Sequence, residues 1–396
     1  MRIAEFTAYH VRIPLRKTIR HASYVRRANE TLIVRCRLDD GTEGWGEGLP
    51  RPYVTGETME SAWQQFQETD WASLGEPLDG LSAAVELCRN FQMPPPPAGQ
   101  RDCFGNSVRC AVELSLLDAV ARREGLPLWT VTGLCPETAP IRESKDRVRY
   151  SAALSAAGAV REMYRAWMYR YYGFHQIKVK VGVDGCNDAA TLRRVRRIVG
   201  RDMDVRIDAN EAWTCETLES KLKPLLPFDV TAVEQPVPHA QSDGLAIIRP
   251  NLTVPIMLDE SLCSLSDGRH AIETGTCDLF NIRISKCGGF VNSLRLAVMA
   301  YEAGLGYQLG CQVGETGILS AAGRHFACSV ANIRYLEGSF DRHLVRESLI
   351  EEDITFGRGG YAPRLTGPGL GVTIDRDALQ RVTIAEHHRP ILVPVT

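Results

Sequence analysis

No stretch of this sequence stays apolar long enough to cross a bilayer, and Arg2, Glu5 and His10 interrupt its start, so neither a membrane span nor a signal peptide is expected. An excess of one charge is missing too: 46 lysines and arginines against 48 aspartates and glutamates leave a formal charge of −2. A chain so balanced gives no footprint for nucleic acid and has no acidic tail. Paired cysteines are also absent. Twelve cysteines are scattered singly from Cys36 to Cys328 with no Cys-x-x-Cys among them, which removes the spacing of a zinc site. They read as reduced, mostly buried thiols of a cytoplasmic protein. Finally, no Gly-x-Gly-x-x-Gly follows any predicted strand, which leaves a doubly wound, dinucleotide-type open sheet without support.

What is present is a chain of 396 residues, 44% hydrophobic, long enough for one large domain or two unequal ones. Ile3 to Leu15 and Thr31 to Leu38 carry strand signals, and Asp39-Asp40-Gly41-Thr42 is a hairpin turn leading to Glu43-Gly-Trp-Gly-Glu47. Between the first two strands the spacing predicts a polar loop, Lys17 to Asn29. Helical patterns follow at Glu57 to Thr69, Leu78 to Phe91 and Gly105 to Arg123, with Met93-Pro-Pro-Pro-Pro97 breaking the last two apart. Residues 1–130 are thus expected as an α+β unit.

From 145 to 340 short apolar strands alternate with amphipathic helices. The strands read as Tyr150–Leu154, Gln176–Val181, Asp204–Asp208, Ala232–Glu234, Ile256–Asp259, Leu279–Ser285, Tyr307–Cys311 and Ile333–Glu337. Eight parallel strands with intervening helices predict an α/β fold of TIM-like, (β/α)7β barrel type. Residues 341–396, with Gly367-Pro-Gly-Leu-Gly371 and a β-type tail, are expected to return to the N-terminal sheet.

The charged residues are phased with these strands. Lys180, Asp208, Glu234, Asp259 and Lys286 follow one another at 28, 26, 25 and 27 residues, one strand and one helix apart each time. All would arrive at the C-terminal mouth of the barrel. Three carboxylates converging there repel unless a cation lies between them, and hard oxygen donors suit Mg²⁺, or Mn²⁺, over zinc. Asn210, Gln235 and Glu260 stand beside the ligands and are candidates to orient them.

Lys178 and Lys180 share one face of their strand, where mutual repulsion favours a neutral amine in at least one of them. Alone, Lys-x-Lys reads first as the exposed face of an edge strand. With the second and sixth strands facing each other in a ring of eight, Lys180 and Lys286 would flank the α-carbon of a metal-bound carboxylate as acid/base groups, the metal stabilising the enediolate. Lys178, deeper in the strand, would tune its neighbour or touch the substrate carboxylate.

These residues resemble the enolase superfamily, specifically the muconate lactonising enzyme subgroup, which shows Lys-x-Lys, then Asp, Glu and Asp, then Lys on successive strands. Gly46-Glu47, Tyr53, Thr55-Gly-Glu-Thr58 and Gly367-Pro-Gly-Leu-Gly371 resemble its capping domain and tail, so the resemblance spans nearly the whole chain. It implies a metal-dependent isomerase of racemase, epimerase or cycloisomerase type acting on a small carboxylate. Alternatives are a dehydratase similar to o-succinylbenzoate synthase, or a non-catalytic metal-binding barrel. The resemblance also implies a homo-oligomer. It makes Glu315 a candidate near the substrate carboxylate and sets Glu337, in Tyr335-Leu-Glu337, where dipeptide epimerases carry Asp-x-Asp, with one of the two carboxylates missing. The segment after the first strand would cover the substrate; its Arg20, His21 and Arg26 suggest a second anionic group.

Overall fold

The computed structural model describes residues 1–20, 25–156 and 158–391, which form two main sheets flanked by helices and one short ribbon. The first sheet is antiparallel: β1 (Ile3–Arg20), β2 (Val25–Leu38) and β3 (Glu43–Gly48) meander in sequence. Gly41 takes φ +89° in the second turn, a left-handed conformation that a side chain would oppose. The first hairpin is longer than expected. Most of Lys17 to Asn29 is strand, with Ile19 paired to Arg26 and Arg20 to Val25 after a register shift beyond Pro14. Pro14 has no N–H to give the ladder, and resumed pairing past it satisfies the remaining backbone groups. His21 to Tyr24 lie outside the described residues.

The first helix, Met59–Glu68, starts at a Thr58/Ser61 capping box. Gly80–Asn90 and Asn106–Arg123 follow. The last of these is buried along nearly its whole length, and β3 explains why. Gly44, Gly46 and Gly48 alternate along one face of that strand, where an added Cβ would stand 2.0, 2.0 and 1.9 Å from Ala119 N, Ala111 O and Ser107 O. Without side chains the strand lets the helix backbone lie directly on it.

After the short strand β4 (Arg147–Arg149) comes the parallel sheet: β5 (Ala152–Leu154), β6 (Gln176–Lys180), β7 (Asp204–Asp208), β8 (Val230–Glu234), β9 (Ile256–Leu258), β10 (Leu279–Ile282), β11 (Gly306–Leu309) and β12 (Ile333–Leu336). Their order in space is their order in sequence. The sheet curls, and the N–H of Ser151 before β5 donates to the Leu336 carbonyl of β12 at 2.8 Å. Inside the curl, Ala232, Met257, Leu279 and Tyr335 form a small apolar plug below the level of the charged residues. The sixth strand ends three residues earlier than the sequence suggested, at Ile282, and residues 283–289 turn through bonds such as Cys287 N–H to Arg283 C=O.

β13 (Tyr361–Pro363) pairs antiparallel with β4, and β14 (Thr383–Pro390) lies antiparallel along β1. No helix among the described residues is long and apolar enough to cross a membrane.

Candidate active site

Alternation along the parallel strands sends every second side chain into the curl. On β6 these are Lys178 and Lys180; on β7, Arg206 and Asp208; on β8, Glu234; past the ends of β9, β10 and β12, Asp259, Arg283 and Glu337. Asn281 points in from β10 itself.

Lys178 lies at the centre. Its Nζ is 2.9 Å from Glu337 Oε1, 3.3 Å from Glu234 Oε2 and 3.5 Å from Asp208 Oδ2. Burial alone would depress its pKa, but Glu234, Glu337 and Asp208 outweigh burial and hold the ammonium well above its usual range. The expectation that repulsion between Lys178 and Lys180 frees an amine therefore does not hold for Lys178, which is locked as a cation. Glu337 also receives the buried Arg206 guanidinium; despite burial, Lys178 and Arg206 keep its carboxyl down at about 2. Arg206 in turn lies 4.5 Å above the Tyr335 ring.

Lys180 is different. It is half-buried at the mouth, and among the described residues its Nζ donates to one acceptor, Asn210 Oδ1, at 2.6 Å. Asn210, at φ 43°, also donates its backbone N–H to Asp208 Oδ1 at 3.0 Å. Gln235 lies below the fifth-strand loop, where its Oε1 accepts from the N–H groups of Asp259 and Ser261 at 2.8 and 3.1 Å. It positions Asp259 by holding that backbone.

Lys286 does not face Lys180. Its Nζ is fully buried and donates to Asp259 O, Asn281 O and Asp259 Oδ1 at 2.7, 2.8 and 2.9 Å. The early end of β10 explains this: the turn carries Lys286 beneath the loop of Asp259, and Arg283 takes the inward position at the mouth. Arg283 Nη2 bonds Asp259 Oδ2 and lies 3.4 Å from Glu234 Oε1. Burial opposes the charge on Asp259, yet Arg283 and Lys286 keep that carboxyl low.

Among the described residues, no three acidic, histidine or cysteine side chains are gathered tightly enough to enclose an ion as they stand. Lys178 bridges Asp208 to Glu234, and Arg283 bridges Glu234 to Asp259. The donor set nonetheless fits a hard divalent cation: three carboxylates at neighbouring strand ends, and beside them Glu260, whose buried Oε2 has no partner. Burial pushes Glu234 up to about 7, Lys178 opposing the shift and the neighbouring Asp208, Glu337 and Asp259 adding to it.

Glu315 stands just before the helix Gly317–Ser329, its Oε1 accepting from Gln312 N–H at 2.6 Å, and burial raises its pKa to about 8. Arg26 reaches the Tyr53 hydroxyl at 3.3 Å and the Val313 carbonyl at 3.4 Å, so the first hairpin rests on the loop after β11. Arg20 is described only through its backbone, and His21 is outside the described residues. Sequence reasoning missed Arg206, Asn281 and Arg283; the period-2 alternation that picked out Lys178 and Lys180 would have found Asn281 and Arg283.

A family model described as Enolase C-terminal domain-like matches residues 159–378. An N-succinyl-L-Arg/Lys racemase from Bacillus cereus is 28% identical over 97% of this chain and 98% of its own length. A muconate cycloisomerase from Rhodococcus opacus is 29% identical over 94% of this chain and 95% of its own. The crystal structure of a dipeptide epimerase from Cytophaga hutchinsonii, complexed with Mg and D-Ala-L-Val, superposes with a TM-score of 0.83 at 25% identity, covering 98% of this chain and 100% of that one. The matched segment contains every residue of the charged mouth, and the chain belongs to the enolase superfamily, in the subgroup of the racemases, epimerases and muconate cycloisomerases.

Proposed function

We propose that this protein is a Mg²⁺-dependent isomerase in which Lys180 removes the α-proton of a small carboxylate substrate, with racemisation, epimerisation or cycloisomerisation as the outcome. We take the curled sheet as a (β/α)7β barrel, capped by residues 1–130 together with the returning tail. Asp208, Glu234 and Asp259 are the side chains that would hold the ion. When bound, the ion supplies Lewis-acid stabilisation of the second negative charge that the substrate carboxylate acquires as its α-proton leaves.

The protein's own groups do the rest. Lys180 breaks the C–H bond and takes the proton on Nζ, whose hydrogens exchange with solvent, and delivers one of them at the α-carbon or at a neighbouring position. Asn210 orients that amine through the 2.6 Å bond. Lys178 stays charged and offsets part of the carboxylate charge beneath the substrate. Glu337 keeps Lys178 in place, and Gln235 and Lys286 fix Asp259. Arg26 on β2, which meets the loop after β11, favours a substrate with a second anionic group.

The observation that carries this reading is the pairing of a partly exposed lysine with three phased carboxylates at consecutive strand ends. Its test is α-proton exchange by NMR in deuterated water with Mg²⁺, using N-succinyl amino acids, dipeptides and muconates. Exchange that needs both the ion and Lys180 supports it, and exchange that survives Lys180→Met rejects it.

A further inference from the structure

The group that faces the substrate from the side opposite Lys180 decides what happens after the proton is removed. In a closed ring of eight, the second and sixth strands are four apart, so whatever projects inward past β10 lies across from Lys180. That residue is Arg283: its side chain retains 11% exposure and its guanidinium lies on Asp259 and Glu234. Lys286, three residues on, has 0% side-chain exposure, and its three N–H bonds are all committed to Asp259 and Asn281 acceptors. It has no hydrogen-bonding capacity left for a substrate and no route to one.

A guanidinium does not give up its proton in a protein. It can present N–H donors to an anion, but it cannot accept a proton from carbon. We propose that the enzyme works from one face only, with Lys180 as its single acid/base and Arg283 as a fixed cation that holds the substrate anion from the other side. The proposal rests on the enolising reading above and narrows it. Lys180 takes the α-proton, the C–H electron pair enters the carboxylate system, the Lys180 ammonium trades its hydrogens with solvent, and it returns one of them to the same face. Return at the α-carbon gives retention. Return to a leaving group on the same face gives syn elimination, and the reverse gives syn addition, the pattern of a cycloisomerase. Inversion at the α-carbon, the work of a racemase, needs a second base that Arg283 is not.

Two measurements test this. In the first, both enantiomers of N-succinyl-arginine, N-succinyl-lysine and alanyl-glutamate dipeptides are incubated with Mg²⁺ in deuterated water. The wild type is expected to exchange one enantiomer with retention, and Arg283→Lys to gain exchange of the other and slow interconversion. Wild-type interconversion of the two enantiomers at the rate of exchange would overturn the proposal. In the second, which needs no turnover, Mn²⁺ affinity is read by electron paramagnetic resonance. Arg283→Met is expected to bind Mn²⁺ about tenfold or more tightly, because a charge-assisted contact to two ligand carboxylates no longer competes. Unchanged affinity in a folded Arg283→Met protein overturns the placement of Arg283. Lack of exchange with every probe alongside tightened Mn²⁺ binding counts against the enolising reading and for the placement.

Discussion

Two sets of buried acids in this protein meet burial in opposite ways. Glu47, at the seam between the antiparallel sheet and the helix Gly317–Ser329, and Glu57, against the start of the helix Asn106–Arg123, are surrounded by neutral donors. Glu47 accepts from Thr316 N–H and Oγ1, Leu319 N–H and Thr31 Oγ1, and Glu57 from Gly105 N–H, Ser107 N–H and Ser107 Oγ. At the mouth, Asp208, Glu234 and Asp259 are met by whole charges, Lys178, Arg283 and Lys286. Neutral donors at helix N-termini fix a carboxylate permanently into one geometry. Cations bridging carboxylates can be traded for another cation. The difference separates acids that build the fold from acids kept for an ion and a substrate.

The sharpest way to divide the two sets is kinetic. Lys180→Met is expected to lower the turnover of α-proton exchange about a thousandfold, some 4 kcal/mol of barrier, because a positioned acid/base is lost. Its melting temperature should stay within a degree or two of wild type, since one bond to Asn210 is all that goes. Glu47→Ala should do the reverse. Four donors at a buried seam lose their acceptor, and a destabilisation of about 3 kcal/mol is expected in urea unfolding, with turnover per folded molecule unchanged. If Glu47→Ala instead abolished exchange in the folded fraction, the seam would belong to the site.

Much of this division was legible in the chain because strand ends and charges share one period. Asp208, Glu234 and Asp259 stand where an inward residue at the end of a parallel strand must stand, and Lys180 with them. Lys286 matched the same period but not the same parity. The sixth strand turns after Ile282, and a turn, unlike a strand, carries no alternation to count along, so the side chain three residues later went underneath. Arg206 was hidden for another reason: in Asp-Val-Arg-Ile-Asp a charged alternate residue looks like the wet face of an edge strand, and only the curl of the sheet shows that this face is interior. Glu47 and Glu57 announced no chemistry because their partners, in Thr316 and Ser107, lie far along the chain.

Metal addition probes the mouth alone. An ion bound only by the folded protein, at a hundred times its dissociation constant, stabilises by about 3 kcal/mol. Differential scanning calorimetry with Mg²⁺ and with a chelator should show that gain in wild type and in Glu47→Gln, and lose it in Glu234→Gln. An undiminished gain in Glu234→Gln would remove Glu234 from the ligand set.

The smallest effect comes from pH, and it probes the seam. Burial raises Glu47 and Glu57 to about 7, with Thr316 and Ser107 among the groups opposing it. A carboxyl whose folded pKa lies above its unfolded value near 4.5 binds more protons folded than unfolded between those two limits. Unfolding then releases protons in that window, so stability falls as pH rises from about 4.5 to about 7 and is level on either side. Glu47→Gln, which keeps the size of the side chain and cannot ionise, should flatten part of that slope in urea titrations run at fixed ionic strength. Mouth acids such as Glu337, held down at about 2 by Lys178 and Arg206, contribute stability with the opposite sign, lost as pH falls from about 4.5 toward 2. A Glu47→Gln protein whose slope between pH 4.5 and 7 matches wild type would mean that the neutral donors, and not burial, set the charge of the seam.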